Sequence, residues 1–329
     1  MRRPVDRFAL LACFGLGLML LFSLGSRASA EHELTAEELI QRHLKSIAPL
    51  DRLKARQSFA LRGDCVYRIL SGGALSADGM SQIVSKGKAY NILFSFAAGE
   101  YGGTEYLTDG KKADTRYTSG GQVNPLWIFL EGYDVLLTEG LLGGELTTAW
   151  SLLDVKHRKP KLSYRGLQKV DGRELHRLDY RMRKGGGGLQ VRLYFEPETY
   201  HHVLSTYEVV QSAPAGSDPD QSARQRVTRQ RIEERFADFE NLNGYVLPSS
   251  WTLEFFKSNN DANAIQPGEG FGTTSTVRSM NTSPGLGGGV AGPALTGPGG
   301  TGTILLQWKT KVTNSAADVS FSPNLITIG

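Results

Sequence analysis

The chain has 329 residues, of which 40% are hydrophobic and 21% are charged, and its formal net charge is +4 at pH 7. Four arginines and one aspartate lie in the first thirty residues, so the rest of the chain carries 33 basic and 32 acidic residues. A chain so close to neutral excludes the charge pattern of a nucleic-acid-binding protein, and we expect no nucleic-acid partner. The remaining residues, about 300, are enough for one large domain with its own core.

The first thirty residues have the three parts of a secretory signal peptide. An arginine-containing start precedes an apolar run over residues 8–24, and Ala28-Ser29-Ala30 supplies small residues at the end. This pattern predicts cleavage after Ala30. Two alternatives stay open. The apolar run approaches the length of a retained membrane anchor, and Cys13 resembles the start of a lipid-attachment signal.

The next residues predict a helix followed by an antiparallel sheet. Thr35-x-x-Glu38 is a capping box, which predicts the start of a helix, and Pro49 is expected to end that helix. Period-two alternation then predicts the strands of the first half, at about 59–69, 79–86, 88–96, 104–108 and 112–118. Cys65 lies on the apolar side of the first strand, which indicates a small buried hydrophobe rather than a reactive thiol.

The pattern changes between residues 124 and 153. Residues 124–138 and about 145–153 lose the alternation and carry apolar residues at helical spacing. Four of them fall on one helical stripe: Leu126, Phe129, Leu130 and Tyr133. Trp127 lies about 100° away from that stripe. Two interpretations stay open, a core helix and a helix that lines a cavity.

Residues 161–211 predict four antiparallel strands joined by short turns. Apolar residues alternate with polar ones along two of these strands, as a half-buried sheet requires. The residues expected on the apolar face are His176, Leu178, Tyr180, Met182, Leu189, Val191, Leu193 and Phe195. Further strands at about 225–239, 244–257 and 303–312 bring the expected total to about eleven.

Two segments are too polar or too rich in glycine and proline to pack. They are residues 212–223 and residues 259–302. We interpret the second as a flexible insertion in a single domain that spans residues 31–329. Between them lies an arginine-rich run, formed by Arg224, Arg226, Arg229, Arg231 and Arg235. Acidic residues interrupt it, including the pair Glu233-Glu234, which predicts an exposed edge strand with solvated carboxylates.

The sequence carries no recognisable catalytic or metal-binding motif. None of its six histidines has the His-Glu-x-x-His spacing of a zinc site, and no Gly-x-Ser-x-Gly elbow is present. His201 and His202 are neighbours on a predicted strand, so their side chains point to opposite sides. We therefore expect no enzyme activity, no cofactor and no metal.

The order of elements and several short motifs resemble the outer-membrane lipoprotein-sorting (LolA/LolB-like) family. The motifs are 107–111 (Leu-Thr-Asp-Gly-Lys), 167–175 (Leu-Gln-Lys-Val-Asp-Gly-Arg-Glu-Leu) and 195–199 (Phe-Glu-Pro-Glu-Thr). The resemblance covers residues from about 35 to 257 and from about 303 to 328. It implies a mainly β fold, an unclosed antiparallel β-barrel whose concave apolar face is lidded by helices and holds acyl chains.

The resemblance further implies a periplasmic, non-enzymatic carrier of lipid or lipoprotein acyl chains, with a membrane-bound donor or acceptor protein as a further partner. No binding residue is carried over from the family. From the stripe and the alternation alone we expect these cavity-lining residues: Leu126, Phe129, Leu130, Tyr133, Phe94, Phe96, Leu178 and Tyr180. The alternative is an envelope sensor or assembly module of the same fold that binds a protein partner.

Overall fold

The structure is a computed structural model, and it describes residues 34–70, 75–98, 101–117, 124–212, 226–261, 295–297, 300–318 and 320. The predicted signal peptide, residues 1–30, lies outside the described residues. So does most of the predicted insertion, because only its ends, 259–261, 295–297 and 300–302, are described. Those ends are strand.

The described residues form thirteen strands, most of them in one large sheet. The strands are β1 (Ser58–Ile69), β2 (Leu75–Lys86), β3 (Ala89–Ala98), β4 (Tyr101–Thr108), β5 (Ala113–Tyr117), β6 (Lys161–Val170), β7 (Arg173–Arg181), β8 (Gln190–Phe195), β9 (His202–Ser212), β10 (Arg226–Leu242), β11 (Tyr245–Asp261), β12 (Leu295–Gly297) and β13 (Gly300–Ala317). Twelve strands follow the order β5-β4-β3-β2-β1-β13-β11-β10-β9-β8-β7-β6, and β12 pairs with β13. Because β5 and β6 end this order unpaired with each other, the fold is an unclosed antiparallel half-barrel, as predicted.

Short helices precede the sheet and interrupt it. They are α1 (Ala36–Ile47), α2 (Leu50–Ala55), α3 (Pro125–Gly132), α4 (Val135–Thr138) and α5 (Val155–Arg158), with 3₁₀ turns at Gly144–Leu146 and Ser151–Asp154. Pro49 ends α1 as expected, but it is also the N-cap residue of α2, which the sequence did not predict. The predicted helix at about 145–153 is replaced by the two 3₁₀ turns. Within the described residues, no helix has the length and apolar character needed to cross a membrane.

We refer to residues 124–158, between β5 and β6, as the insert. Its helix α3 packs on β5, α4 packs on β4 and β5, and its first 3₁₀ turn packs on β11. Helix α1 packs on β6, on β11 and on the second 3₁₀ turn. The insert and α1 therefore cover one face of the sheet, which we call the inner face, and the opposite face is the outer face.

The predicted alternation of the meander is confirmed. The residues expected on the apolar face of β7 and of the β8 segment are all buried, from Leu178 and Leu193 at 0% exposure to His176 at 9%. Cys65 is also buried, and burial raises the pKa of its thiol to about 12. A protonated thiol in this position is a small core residue.

The prediction of an edge strand at 225–239 is wrong. Strand β10 lies between β9 and β11 near the middle of the sheet, and the edges are β5 and β6. Glu233 and Glu234, expected in solvent, both have 0% exposure. On the outer face Glu233 pairs with Arg231 and Arg235 at 3.1 and 2.8 Å. The charge of Glu233 is therefore satisfied by neighbours within the sheet, as the burial of a charge requires.

Candidate ligand-binding site

Large aromatic side chains line the inner face at the centre of the sheet. Phe94 of β3 stacks on Trp251 of β11, with ring centroids 5.7 Å apart and planes inclined by 24°. Trp308 of β13 lies 6.0 Å from the same ring. Phe96 packs beside Tyr67, at 5.6 Å. Both predicted sheet residues of β3 are therefore part of an aromatic layer that faces the insert.

Helix α3 presents its apolar stripe to this layer. Asn124 caps the helix by accepting a hydrogen bond from the Trp127 amide at 2.8 Å, and Pro125 fits the first turn. Leu126, Phe129 and Leu130 are 0–2% exposed. The remaining predicted residue of the stripe, Tyr133, is half-buried, as is the off-stripe Trp127.

The stripe reaches the sheet through β11. The ring of Phe129 meets Phe255 edge-on at 6.0 Å and lies 5.0 Å from Tyr133. Phe255 is fully buried and follows Trp251 and Leu253 with period two. The sequence prediction named neither Trp251 nor Phe255, although their alternation was a visible signal for this face.

The other predicted sheet residues lie on β7. Leu178 has 0% exposure, and Tyr180 has 2%. The Tyr180 hydroxyl donates to Glu139 Oε2 of the insert at 3.2 Å, and Arg158 binds the same oxygen at 3.2 Å. The four predicted sheet residues are therefore buried in two separate groups, on β3 and on β7, and the four predicted residues of the helical stripe belong to the insert itself.

The insert fills that space with its own side chains. Its apolar residues between positions 136 and 152 are almost completely buried: Leu136, Leu137, Leu141, Leu142, Leu146, Trp150 and Leu152. Two depressions open beside them. One of about 440 Å³ lies between the β2–β3 turn and the end of the insert, with Trp150 in its lining, and one of about 190 Å³ lies between α3 and β5, with Leu130 in its lining. The first is within the roughly 300–1,000 Å³ of typical ligand pockets, but none of the four predicted sheet residues lines either depression, so a ligand held against the inner face requires the insert to move.

A buried carboxylate fastens the middle of the insert to the sheet. Glu234 of β10 accepts hydrogen bonds from the Gly143 amide at 2.7 Å, the Tyr207 hydroxyl at 2.6 Å and Trp251 Nε1 at 3.0 Å. The Tyr207 oxygen also lies 2.9 Å from the carbonyl oxygen of Leu141. We call these contacts the latch, since they join Leu141 and Gly143 of the insert to β9, β10 and β11.

The backbone of the insert at the latch needs glycine. Gly143 and Gly144 both have positive φ, at 79° and 47°. Gly144 lies so close to β9 and β10 that an added Cβ would meet Phe236 and His202 at 3.2 and 3.4 Å. A left-handed turn of this kind aims the Gly143 amide at Glu234 without a side chain in the way.

Burial raises the pKa of Glu234 to about 7, and the hydrogen bonds from Tyr207, Gly143 and Trp251 oppose that rise. The latch therefore contains a carboxyl group that gains or loses its charge near neutral pH. Tyr90 is the other titratable group that faces it from β3, and burial raises the pKa of Tyr90 well above the usual value.

A second buried polar contact joins α1 to the insert. Burial lowers the pKa of His43 to about 3, so its ring is neutral. Nδ1 of His43 donates to the carbonyl oxygen of Tyr200 at 3.1 Å, and Nε2 accepts from Trp150 Nε1 at 3.1 Å. Glu145 Oε2 lies 3.3 Å from the same Nε2. Burial raises the pKa of Glu145 well above its usual value, which favours the protonated carboxyl beside a ring nitrogen that lacks a proton.

These contacts hold α1 and the insert against the sheet. Within the part of the chain that the structure describes, no group of three or more histidine, cysteine, aspartate or glutamate side chains is placed to hold a metal ion. His202 stacks on Trp150 at 5.0 Å and bonds Ser205 at 2.9 Å, and both side chains have 0% exposure. Sequence reasoning missed Glu234, Tyr207 and His43. A charged residue between Ile232 and Phe236 on one face was the available signal for Glu234.

No family model and no curated protein matches the chain. Solved structures do. A LolA superfamily protein from Nitrosomonas europaea matches 89% of this chain and 98% of its own, with 10% identity and a TM-score of 0.42. A DUF1329 family protein from Desulfovibrio piger matches 89% and 97%, with 12% identity and a TM-score of 0.42.

A domain from Vibrio parahaemolyticus named for outer membrane lipoprotein sorting matches 87% of this chain and 96% of its own, with 8% identity and a TM-score of 0.36. The resemblance that the sequence motifs indicated is thus found again among solved structures. With identities of 8–12% and TM-scores below 0.5, these neighbours say nothing of what this chain binds.

Proposed function

We propose that the protein is a non-enzymatic carrier or binder that holds acyl chains of a lipid or lipoprotein against the inner face of its sheet. In the ligand-free protein the insert occupies this face, and an acyl chain takes its place when the insert lifts. The eight predicted residues then contact the acyl chain. Four come from the insert and four from the sheet: Leu126, Phe129, Leu130 and Tyr133, and Phe94, Phe96, Leu178 and Tyr180.

One observation carries the proposal: the insert, whose buried side chains are mainly apolar, covers an aromatic layer of the sheet and is tied to it by a few specific polar contacts. An acyl chain in water is penalised by about 0.8 kcal/mol per methylene group. Transfer to an apolar face removes that penalty, and the cost is the loss of the insert's own contacts with the face. Binding of moderate strength follows, which is what a carrier needs in order to release its ligand.

A protein-binding module of the same fold is the competing function. Such a module needs an exposed apolar patch for its partner. Among the described residues, the most exposed large apolar side chains are Ile128, Leu167 and Val210, at 56%, 47% and 42%. They lie on α3, β6 and β9. Two strands, β7 and β8, separate Leu167 from Val210 in the sheet, and Ile128 lies on a helix. We therefore favour the acyl carrier.

Chain-length dependence is the experiment that tests the proposal. Protein purified without detergent should bind a fluorescent fatty acid, and unlabelled fatty acids of 8, 12 and 16 carbons should displace it with increasing strength. Each methylene group should add up to about fourfold in affinity until the face is filled. Equal displacement at all three lengths, or no binding at all, would favour the protein-binding module.

We further propose that this carrier works in the periplasm after cleavage behind Ala30. The arginine-containing start, the apolar run and Ala28-Ser29-Ala30 support this location. N-terminal sequencing of the exported protein should read Glu31-His32-Glu33. A lipidated Cys13, or the intact leader in the membrane fraction, would refute the proposed processing.

A further inference from the structure

The outer face of β6, β7 and β8 carries a concentration of positive charge. A depression of about 270 Å³ lies on it, and the charged residues of its lining are Lys161, Arg165, Arg177, Asp179, Arg181 and Arg192. Five cations thus surround one carboxylate. Adjacent strands are about 4.8 Å apart, so three strands place these cations within roughly 10 Å across the sheet. The chain after residue 30 is almost neutral, which makes this face a local excess rather than a reflection of net charge.

The two carboxylates near this face, Asp179 and Glu208, are already paired with arginine side chains. Asp179 accepts from Arg165 Nε at 2.8 Å and from Arg177 Nε at 2.7 Å. Arg192 pairs with Glu208 of β9 at 2.9 Å, and Arg229 binds the other oxygen of Glu208 at 2.9 Å. Each of these two carboxylates is therefore shared by two guanidinium groups.

Lys161 and Arg181 are the two cations of this face that lack a carboxylate partner among the described residues. The strand register places them directly opposite each other on β6 and β7, and both are exposed. Among the described residues, neither has a carboxylate within salt-bridge distance. Like charges directly opposed on neighbouring strands destabilise a sheet. An external anion between them would remove that repulsion, and a guanidinium group binds phosphate with two parallel hydrogen bonds.

We propose that this outer face docks on an anionic phospholipid membrane surface, with lipid phosphates between Lys161, Arg181 and their neighbours. A membrane suits the face better than an acidic protein does. Stable protein interfaces are centred on desolvated aromatic or apolar anchors and are poor in charge at their core. Here the lining side chains on the outer face are charged or polar, and none of the three most exposed apolar residues, Ile128, Leu167 and Val210, lines the depression. Clustered cations without an anchor are typical of weak, salt-dependent attraction to a charged surface.

The docking proposal does not depend on acyl binding and is tested separately. Wild-type protein should sediment with vesicles of phosphatidylglycerol and phosphatidylcholine, and much less with phosphatidylcholine alone. Binding to phosphatidylcholine alone also measures how much the apolar residues among the first thirty contribute to membrane binding. The double variant Lys161→Glu/Arg181→Glu should bind the anionic vesicles at least about tenfold more weakly than the wild type. It should keep the fatty-acid affinity of the wild type.

The matched control is Lys54→Glu/Lys309→Glu, which makes the same change in net charge at two exposed residues of α2 and β13. It should bind the anionic vesicles within about twofold of the wild type, and salt should weaken wild-type binding. The proposal is overturned if the first variant binds as the wild type does, or if the control loses as much. It is also overturned if the first variant loses binding to a polyglutamate peptide but not to the vesicles, which would identify an acidic protein as the partner.

Discussion

Replacing Glu234 by alanine should strengthen the apparent binding of a fluorescent fatty acid by about ten- to a hundredfold. The substitution removes the acceptor of the Gly143 amide, one of the two contacts between the insert and the sheet at the latch. A hydrogen bond to a charged group contributes roughly 1.5–3 kcal/mol, and its loss raises the population of the open state by the corresponding factor. Equilibrium titration of wild type and variant measures the change.

Two further variants separate the latch from general destabilisation. Glu234→Gln keeps an oxygen acceptor for Gly143 and should give a smaller gain in affinity. Tyr207→Phe removes one hydroxyl near Leu141 and Glu234 with little change in packing, and it should give a gain of a few fold. Urea unfolding checks that each variant is folded. Weaker fatty-acid binding by folded Glu234→Ala would contradict the idea that insert and ligand compete.

The stabilising contribution of Glu234 should fall as the pH rises from 5 to 8. Its pKa is about 7 in the folded protein, against the usual 4.5 of a glutamate side chain. A group whose folded pKa is raised contributes most below its unfolded pKa, and the contribution is lost as the pH rises through the folded pKa. The free energy of unfolding of the wild type relative to Glu234→Gln should therefore decrease by about 2–3 kcal/mol over this window.

The difference between wild type and Glu234→Gln cancels the titration of the other groups, to the extent that they act independently. Glu240→Gln replaces an exposed carboxylate of the same strand and is the matched control. Its stability should follow that of the wild type at each pH. A wild-type-minus-Glu234→Gln difference that stays constant, or rises, between pH 5 and pH 8 would show that Glu234 keeps its charge throughout.

Local periodicity predicted the face of most strands but not their order. The alternation through Leu178 and Tyr180 was sufficient to assign the buried face of β7, because successive side chains of a strand point to opposite faces. The position of β10 was not available in the same way. Its charges suggest an edge when the strand is considered alone, but Glu233 is buried in the middle of the sheet, where Arg231 and Arg235 pair with it on the outer face. Strand order depends on long-range pairing, which a local pattern does not encode.

The candidate site was predicted in part for a similar reason. The stripe of Leu126, Phe129 and Leu130 follows from helical spacing, and all three are buried against the sheet. The latch does not follow from spacing, because Gly143 and Glu234 are 91 positions apart. A buried carboxylate is recognised only from the donors around it, and those come from distant strands. The 3₁₀ turns near Leu146 and Trp150 were missed because their apolar spacing is close to that of an α-helix.

Hydrogen exchange of the insert, with and without a saturating fatty acid, tests most directly whether the ligand displaces the insert. The ligand should speed amide exchange across residues 139–147, where Gly143 loses Glu234, and leave exchange in the central strands β10 and β11 unchanged or slower. An insert that exchanges at the same rate or more slowly while the fatty acid is bound would contradict displacement, and the ligand would then have to lie elsewhere on the protein.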